Sequence, residues 1–261
     1  MLESNSTAEM DDLEEKEDIY LRSTMSLGDH LDDLRRRLLF ALSGLVIGTI
    51  ICIFFGQKII AFIEVPFTDV VGDKFNLQSL APSDAFTSYI KITVMAGLIL
   101  SSPWVLYHLW MFVAAGLYPK ERRYVTMAVP FSAALFIAGA LFFMFFVAPM
   151  TLRFFIIFNS FLKITSSWTF QSYISFITTF MLVFGIAFQT PIAIFILTRT
   201  GLVSVKSLKS IRKYVFLAVF IIGAIVTPPD VISQIALALP LYGLFELGLF
   251  LSYIADRKKK A

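Results

Sequence analysis

Apolar runs long enough to cross a bilayer recur along this chain, and short charged turns separate them. Runs of roughly 18 residues or more read as transmembrane helices. Of the 261 residues, 57% are hydrophobic, 16% are charged and 28 are phenylalanine. With a mean hydropathy of +0.78, the expectation is an all-α polytopic membrane protein held together by helix packing rather than by a water-driven core. The first apolar run lies deep in the sequence behind an acidic segment, so it does not read as a cleavable signal peptide. The single cysteine, Cys52, falls inside that run, which excludes an intrachain disulfide and any cysteine-based metal site.

Residues 1–25 are dominated by Glu and Asp, and a like-charged block of this kind reads as a disordered acidic tail. Ser26 to Asp29 resembles a helix-capping box. Leu27, Leu31, Leu34 and Leu38 then recur on one helical face, opposite Asp29, Asp32, Asp33, Arg35 and Arg36, which predicts an amphipathic surface helix. Span 1 follows from Leu38 to Phe55. The segment from Gln57 to Ser88 contains Pro66, Gly72 and Pro82 and reads as a partly helical far-side loop, with a helix start at Pro82-Ser83-Asp84.

Span 2 runs from about Ile90 to Ala115, with Pro103 expected to bend it. Span 3 is Tyr124 to Ala148, closed by Pro149, and Met150 to Ser172 reads as a second far-side loop. Span 4 is Tyr173 to Leu197. Span 5, Tyr214 to Val226, covers only about 20 Å against a hydrocarbon core of about 30 Å. Thr227-Pro228-Pro229-Asp230 is a tight turn. Span 6, Val231 to Tyr253, is interrupted by Pro240 and also reads as short. Residues 254–261 form a basic tail, so the membrane domain occupies 26–253.

Six spans put both termini on one side. Seventeen of the 22 Lys and Arg residues fall on that side, and the positive-inside rule then makes it cytoplasmic. The turn Leu117-Tyr118-Pro119-Lys120-Glu121-Arg122-Arg123 belongs there. Its cations orient the chain, but a carboxylate among them adds nothing to topology and calls for another role.

Catalytic motifs are absent. His30 and His108 sit in no ligand spacing, and there is no nucleophile–base set, Walker loop or pair of intramembrane aspartates. The chain is not expected to be an enzyme, nor to hold a metal or cofactor, nor to bind nucleic acid. Polar groups within spans are costly and are therefore site candidates. Gln189 in span 4 reads either as interhelical glue or as a polar spot in a groove for another helix. Glu246 lies in span 6, either deep in it or toward the cytoplasmic interface. Gln234 follows the 5–6 turn.

Five motifs in order then resemble one family. They are His30-Leu31-Asp32-Asp33-Leu34-Arg35-Arg36-Arg37-Leu38, Leu117-Tyr118-Pro119-Lys120-Glu121, Phe184-Gly185-Ile186-Ala187-Phe188-Gln189-Thr190-Pro191, Thr227-Pro228-Pro229-Asp230 and Phe245-Glu246-Leu247-Gly248. Together they resemble TatC, the multispanning receptor subunit of the twin-arginine protein translocase, from about Ser26 to Tyr253. The resemblance implies export of folded proteins across an energised inner membrane, most naturally a bacterial one.

It further implies a signal-peptide site that includes Asp33, Glu121, Leu117, Tyr118 and Arg35. TatA- and TatB-type single-span subunits would dock near Thr227 and Gln234, and copies of the chain would associate in the receptor complex. Pro66, Pro103, Pro228, Pro229 and Asp230 are expected to shape turns and bends. Three acidic positions depart from the family pattern: Asp33 and Asp84 stand where Glu is usual, and Gln189, which cannot ionise, replaces an intramembrane Glu. Ala115 also stands where Pro is frequent. The competing reading is a secondary transporter of a small solute, which predicts an internal repeat and unwound midplane helices.

Overall fold

A single helix carries the chain from the surface into the first span. α1 covers Leu27–Phe54 without a break, so the amphipathic segment and span 1 are one element. The structure, a computed structural model, describes residues 27–72, 77–116, 119–164, 167–226 and 231–260. The acidic tail at 1–25, Leu117, Tyr118 and Thr227 to Asp230 lie outside the described residues. The remaining helices are α2 (Gly56–Val71), α3 (Asp84–Ala115), α4 (Pro119–Phe142), α5 (Ala148–Phe161), α6 (Phe170–Ala187), α7 (Thr190–Arg199), α8 (Val205–Ser210), α9 (Arg212–Val226) and α10 (Val231–Lys260). Five stretches among the described residues are long and apolar enough to cross a membrane, and the 15-residue α9 is the short element that the sequence predicts.

Three expectations need correction. The segment after span 1 is less loop-like than its composition implies. α2 runs through Pro66 and buries Ile63, Pro66 and Phe67 against α3 and α5, and burial pushes the Glu64 carboxyl above its ordinary range. Second, Pro149 does not close span 3. A π-helical turn at Phe143–Val147 precedes it, and the Ala148 amide donates to the Phe143 carbonyl, five residues back. That wider turn lets Pro149 fall in the first turn of α5, where a missing N–H costs nothing. Residues 122–161 therefore make one continuous apolar stretch of 40 residues, and the expected far-side loop is helical as far as Phe161. Pro103 lies inside α3, within the second span as expected. The proline leaves the Ile99 carbonyl without its helical donor, and the Ser102 hydroxyl donates to it at 2.8 Å. Third, the last helix is 30 residues long, with an apolar stretch of 23. Pro240 does not interrupt it and its basic end stays helical, so the sixth span is not short.

α1 lies antiparallel along α3. The contact leaves no room for a side chain at its two glycines. A Cβ on Gly97 would sit 2.6 Å from the Thr49 backbone, and one on Gly48 would sit 2.7 Å from the Gly97 carbonyl oxygen. Hydrocarbon supplies no hydrophobic force between helices, so small residues that let backbones approach provide the attraction. The Tyr89 hydroxyl fixes the register by donating to the Ile53 carbonyl at 2.5 Å, and the Trp104 indole does so by donating to the Phe40 carbonyl at 2.8 Å.

α3 also packs on α4 and α6, α4 on α6 and α7, and α7 on α10, which carries α9. At the centre Phe143 stacks on Phe180, 5.3 Å between centroids, and meets Phe176 and Phe184. On the side away from the α3–α4 turn, Gln78 clasps the strand-like segment before α6. Its amide donates to the Trp168 carbonyl and its carbonyl accepts from the Phe170 amide, both at 2.9 Å.

A Gly97→Ala variant is therefore expected to lose about 1–3 kcal/mol of stability in detergent by overpacking. Gly243→Ala, with no atom near the added methyl, is expected to be neutral or slightly stabilising. Unfolding midpoints in denaturant check both, and equal midpoints would contradict the close-approach account.

Candidate signal-peptide site and intramembrane polar cluster

The α1–α3 register places the first candidate residues. Gly56, just past the end of α1, meets Tyr89, Gly48 meets Gly97, and Phe40 meets Trp104 and His108. Two turns further toward the start of α1 comes Asp33, level with the last turn of α3. The chain leaves α3 at Ala115 and re-enters helix at Pro119, with Glu121 third in α4. Proline is favoured at a first helical position and an acid in the first turn, where the helix dipole is positive. The position of Glu121 thus also suits the helix, a structural reason that the sequence reading did not supply.

Asp33 is not idle. Its Oδ2 accepts from the Arg37 Nε at 2.6 Å, one turn along the same helix, and the two side chains are 19% and 21% exposed. The pair is part-buried and joins successive turns of one helix, a spacing that contributes roughly 0.5 kcal/mol or less, so a better partner can compete for it. The i, i+4 spacing of Asp33 and Arg37 signals the pair in the sequence, yet the reading singled out Arg35. Arg35 is exposed and lines an open groove with Asp32, Arg36, Leu39 and Phe40. Beside it His108 is buried, with neither ring nitrogen hydrogen-bonded, stacked on Phe40 at 5.4 Å and edged by Trp104 and Tyr107.

Gln189 sits where α6 gives way to α7. Pro191 has no N–H for the helical ladder, and the Gln189 amide bonds three residues back, to Ile186. The side chain turns toward α4. Its Oε1 accepts from the Ser132 hydroxyl, and its Nε2 donates to the Ser132 carbonyl at 3.1 Å and the Gly185 carbonyl at 3.4 Å. The Trp110 indole donates to the Ser132 Oγ at 2.7 Å. Three helices are tied by one neutral network, and the interhelical reading of Gln189 accounts for every bond that its side chain makes here. Ser132, the hub, was missed because a lone serine in an apolar run carries no periodic signal.

Glu246 sits near the middle of the 23-residue apolar stretch of α10. Its Oε2 pairs with the Arg212 guanidinium at 2.6 Å, and its Oε1 accepts from the Tyr242 hydroxyl at 3.0 Å. Arg212 opens α9 straight after the basic 4–5 loop, so the pair ties the start of α9 to α10. Gln234 is also engaged within the chain, since its Nε2 donates to the Phe220 carbonyl at 2.8 Å and ties α10 to α9. Asp84 is buried at the start of α3, where its Oδ2 accepts the Leu80 and Ala81 amides, both at 2.9 Å. The described residues hold no cluster that would bind a metal ion.

The neutral network has a measurable signature. Gln189→Leu and Ser132→Ala are each expected to cost roughly 1–2 kcal/mol, because both leave buried polar groups unpaired. The double variant should cost less than their sum by about 0.6 kcal/mol or more, as for coupled bonds between membrane helices. Strict additivity in a double-mutant cycle would dissolve the network.

Comparison with known proteins agrees with the motif order. Residues 29–240 match the family model of the Sec-independent protein translocase protein TatC. The chain is 35% identical to the TatC of Aquifex aeolicus over 237 residues, 90% of this chain and 98% of that one. It is 34% identical to the Escherichia coli K12 TatC over 233 residues, 89% and 90% of the two chains. A crystal structure of a twin-arginine translocase receptor, TatC, superposes with a TM-score of 0.78 at 34% identity, covering 87% of this chain and 99% of its own. The chain belongs to the TatC family of Sec-independent protein translocase proteins.

Proposed function

We propose that this translocase component is the receptor that binds twin-arginine signal peptides, and that it works with single-span partner subunits to export folded proteins. The observation that carries the proposal is the α1–α3 register, which sets the Asp33 turn level with the end of α3, just before Leu117, Tyr118 and Glu121. Two carboxylates on one membrane face offer what two consecutive arginines need. A guanidinium bonds a carboxylate through two parallel N–H donors, a fork that lysine cannot reproduce. Arg37 holds one oxygen of Asp33, so an incoming arginine would share or displace that i, i+4 pair. The apolar part of the signal would lie against the membrane helices beside the exposed leucines of α1, Leu38, Leu39 and Leu42.

Both termini are proposed to face the cytoplasm of a bacterial inner membrane, on the charge asymmetry of the loops. TatA- and TatB-type subunits would dock where α9 and α10 meet, near Thr227 and Gln234. Because the Gln234 amide already bonds α9 to α10, its part there would be to shape that edge or to exchange one partner for another. Self-association is proposed for the receptor complex. The small-solute transporter reading finds no support, since the chain falls in a protein-translocase family.

Glu121→Ala and Asp33→Asn are each expected to lower export of a folded twin-arginine reporter at least tenfold while the protein still inserts. Photo-crosslinking from position 121 should capture a twin-arginine signal peptide and fail with a lysine-pair control. Normal export by the Glu121 variant, or equal capture of both signals, would defeat the receptor assignment.

A further inference from the structure

A polar cavity opens where the fourth and last spans end, and the translocation reading makes no use of it. It measures about 250 Å³, and its wall includes Thr198, Arg199, Ser204, Ser252 and Asp256. The apolar stretch through α6 and α7 stops at Arg199, and that of α10 stops at Asp256. The cavity therefore lies at the depth where hydrocarbon gives way to headgroups.

It contains one cation and one anion that do not satisfy each other. Among the described residues the ion pairs are Asp33–Arg37 and Arg212–Glu246, and neither Arg199 nor Asp256 takes part in one. The Arg199 guanidinium is instead held between two rings, 5.7 Å from the Tyr124 centroid and 5.6 Å from that of Phe195. Its Nε is buried and has no hydrogen-bond partner. A buried guanidinium N–H without an acceptor is costly, so the site calls for one. Nearby cations of the same loop are already engaged: Arg212 by Glu246, and Lys209 over the Tyr253 ring at 4.7 Å.

We infer that this cavity binds the headgroup of an aminophospholipid of the phosphatidylethanolamine type, its phosphate on Arg199 and its primary ammonium on Asp256. A guanidinium suits a phosphate oxygen, and a carboxylate suits an ammonium. A headgroup of net negative charge would gain from Arg199 but meet Asp256 as a like charge. The volume is below the roughly 300–1,000 Å³ of sites for drug-sized ligands, which fits a headgroup rather than a whole lipid. Leu197, Leu251 and Ile254, all exposed, offer an apolar surface on which acyl chains can descend.

The test uses the full chain purified in detergent, with phosphatidylethanolamine, phosphatidylglycerol and phosphatidylcholine of identical acyl chains. Retained lipid is read by native mass spectrometry. Phosphatidylethanolamine should be retained about tenfold over the other two, the ratio that one additional charge-assisted contact supplies. Arg199→Gln should lower retention of all three lipids, with Arg199→Lys recovering part of it. Asp256→Asn should reduce phosphatidylethanolamine to the level of phosphatidylcholine. Equal retention of the three lipids by the unmodified protein would overturn the proposal. So would folded variants that keep the unmodified preference. Displacement of the lipid by equimolar glycerophosphoethanolamine would reassign the site to a soluble ester of the same chemistry. If a variant fails to fold, the preference of the unmodified chain and the competition decide alone.

Discussion

Water cannot repair a backbone inside a bilayer, and this fold is arranged around that fact. Every carbonyl or amide set free in the hydrocarbon must find a partner within the protein. Prolines make the demand acute, and the chain places Pro66, Pro103, Pro130 and Pro240 inside helices. At Pro103 the answer is local, a serine hydroxyl one residue earlier that reaches the orphaned carbonyl. At Pro149 it is geometric, a wider turn that moves the proline to a position where no donor is missed. At Pro191 the helix gives way instead, and the slack is taken up by the Gln189 side chain.

The same economy explains why Gln189 can stand where the family pattern has a carboxylate. An amide both donates and accepts, and here it does both toward α4 while accepting the Ser132 proton. A carboxylate at that place would meet two backbone carbonyls with no proton to offer unless it were protonated. Whatever the family obtains from an acid at this position, this chain obtains a fixed, uncharged tie between helices.

Much of this was legible beforehand, and the failures have a common cause. The apolar runs, the short α9 and the helix start at Asp84 follow from hydropathy and local propensity. The elements that depart from expectation, at Pro66, Pro149 and Pro240, are those where the sequence reading treats proline as a breaker. That rule holds in water, where a broken helix is rehydrated, and loses force where breaking costs more than bending. The site residues divide in the same way. Asp33, Glu121 and Gln189 stood out because charge or polarity was conspicuous against an apolar background. Ser132, Arg37 and Arg212 did not, because their significance lies in a partner on another turn or another helix.

The described helices are unequal in reach. The stretch from Arg122 to Phe161 would extend about 60 Å if straight, while the 15 residues of α9 extend about 22 Å. Both edges belong to one molecule seated in one bilayer. Lipids around it therefore meet a rim of uneven height, tall along α4 and α5 and low beside α9. A membrane that conforms to such a rim slopes across a single subunit, and the slope runs down toward the edge proposed to receive the partner helices.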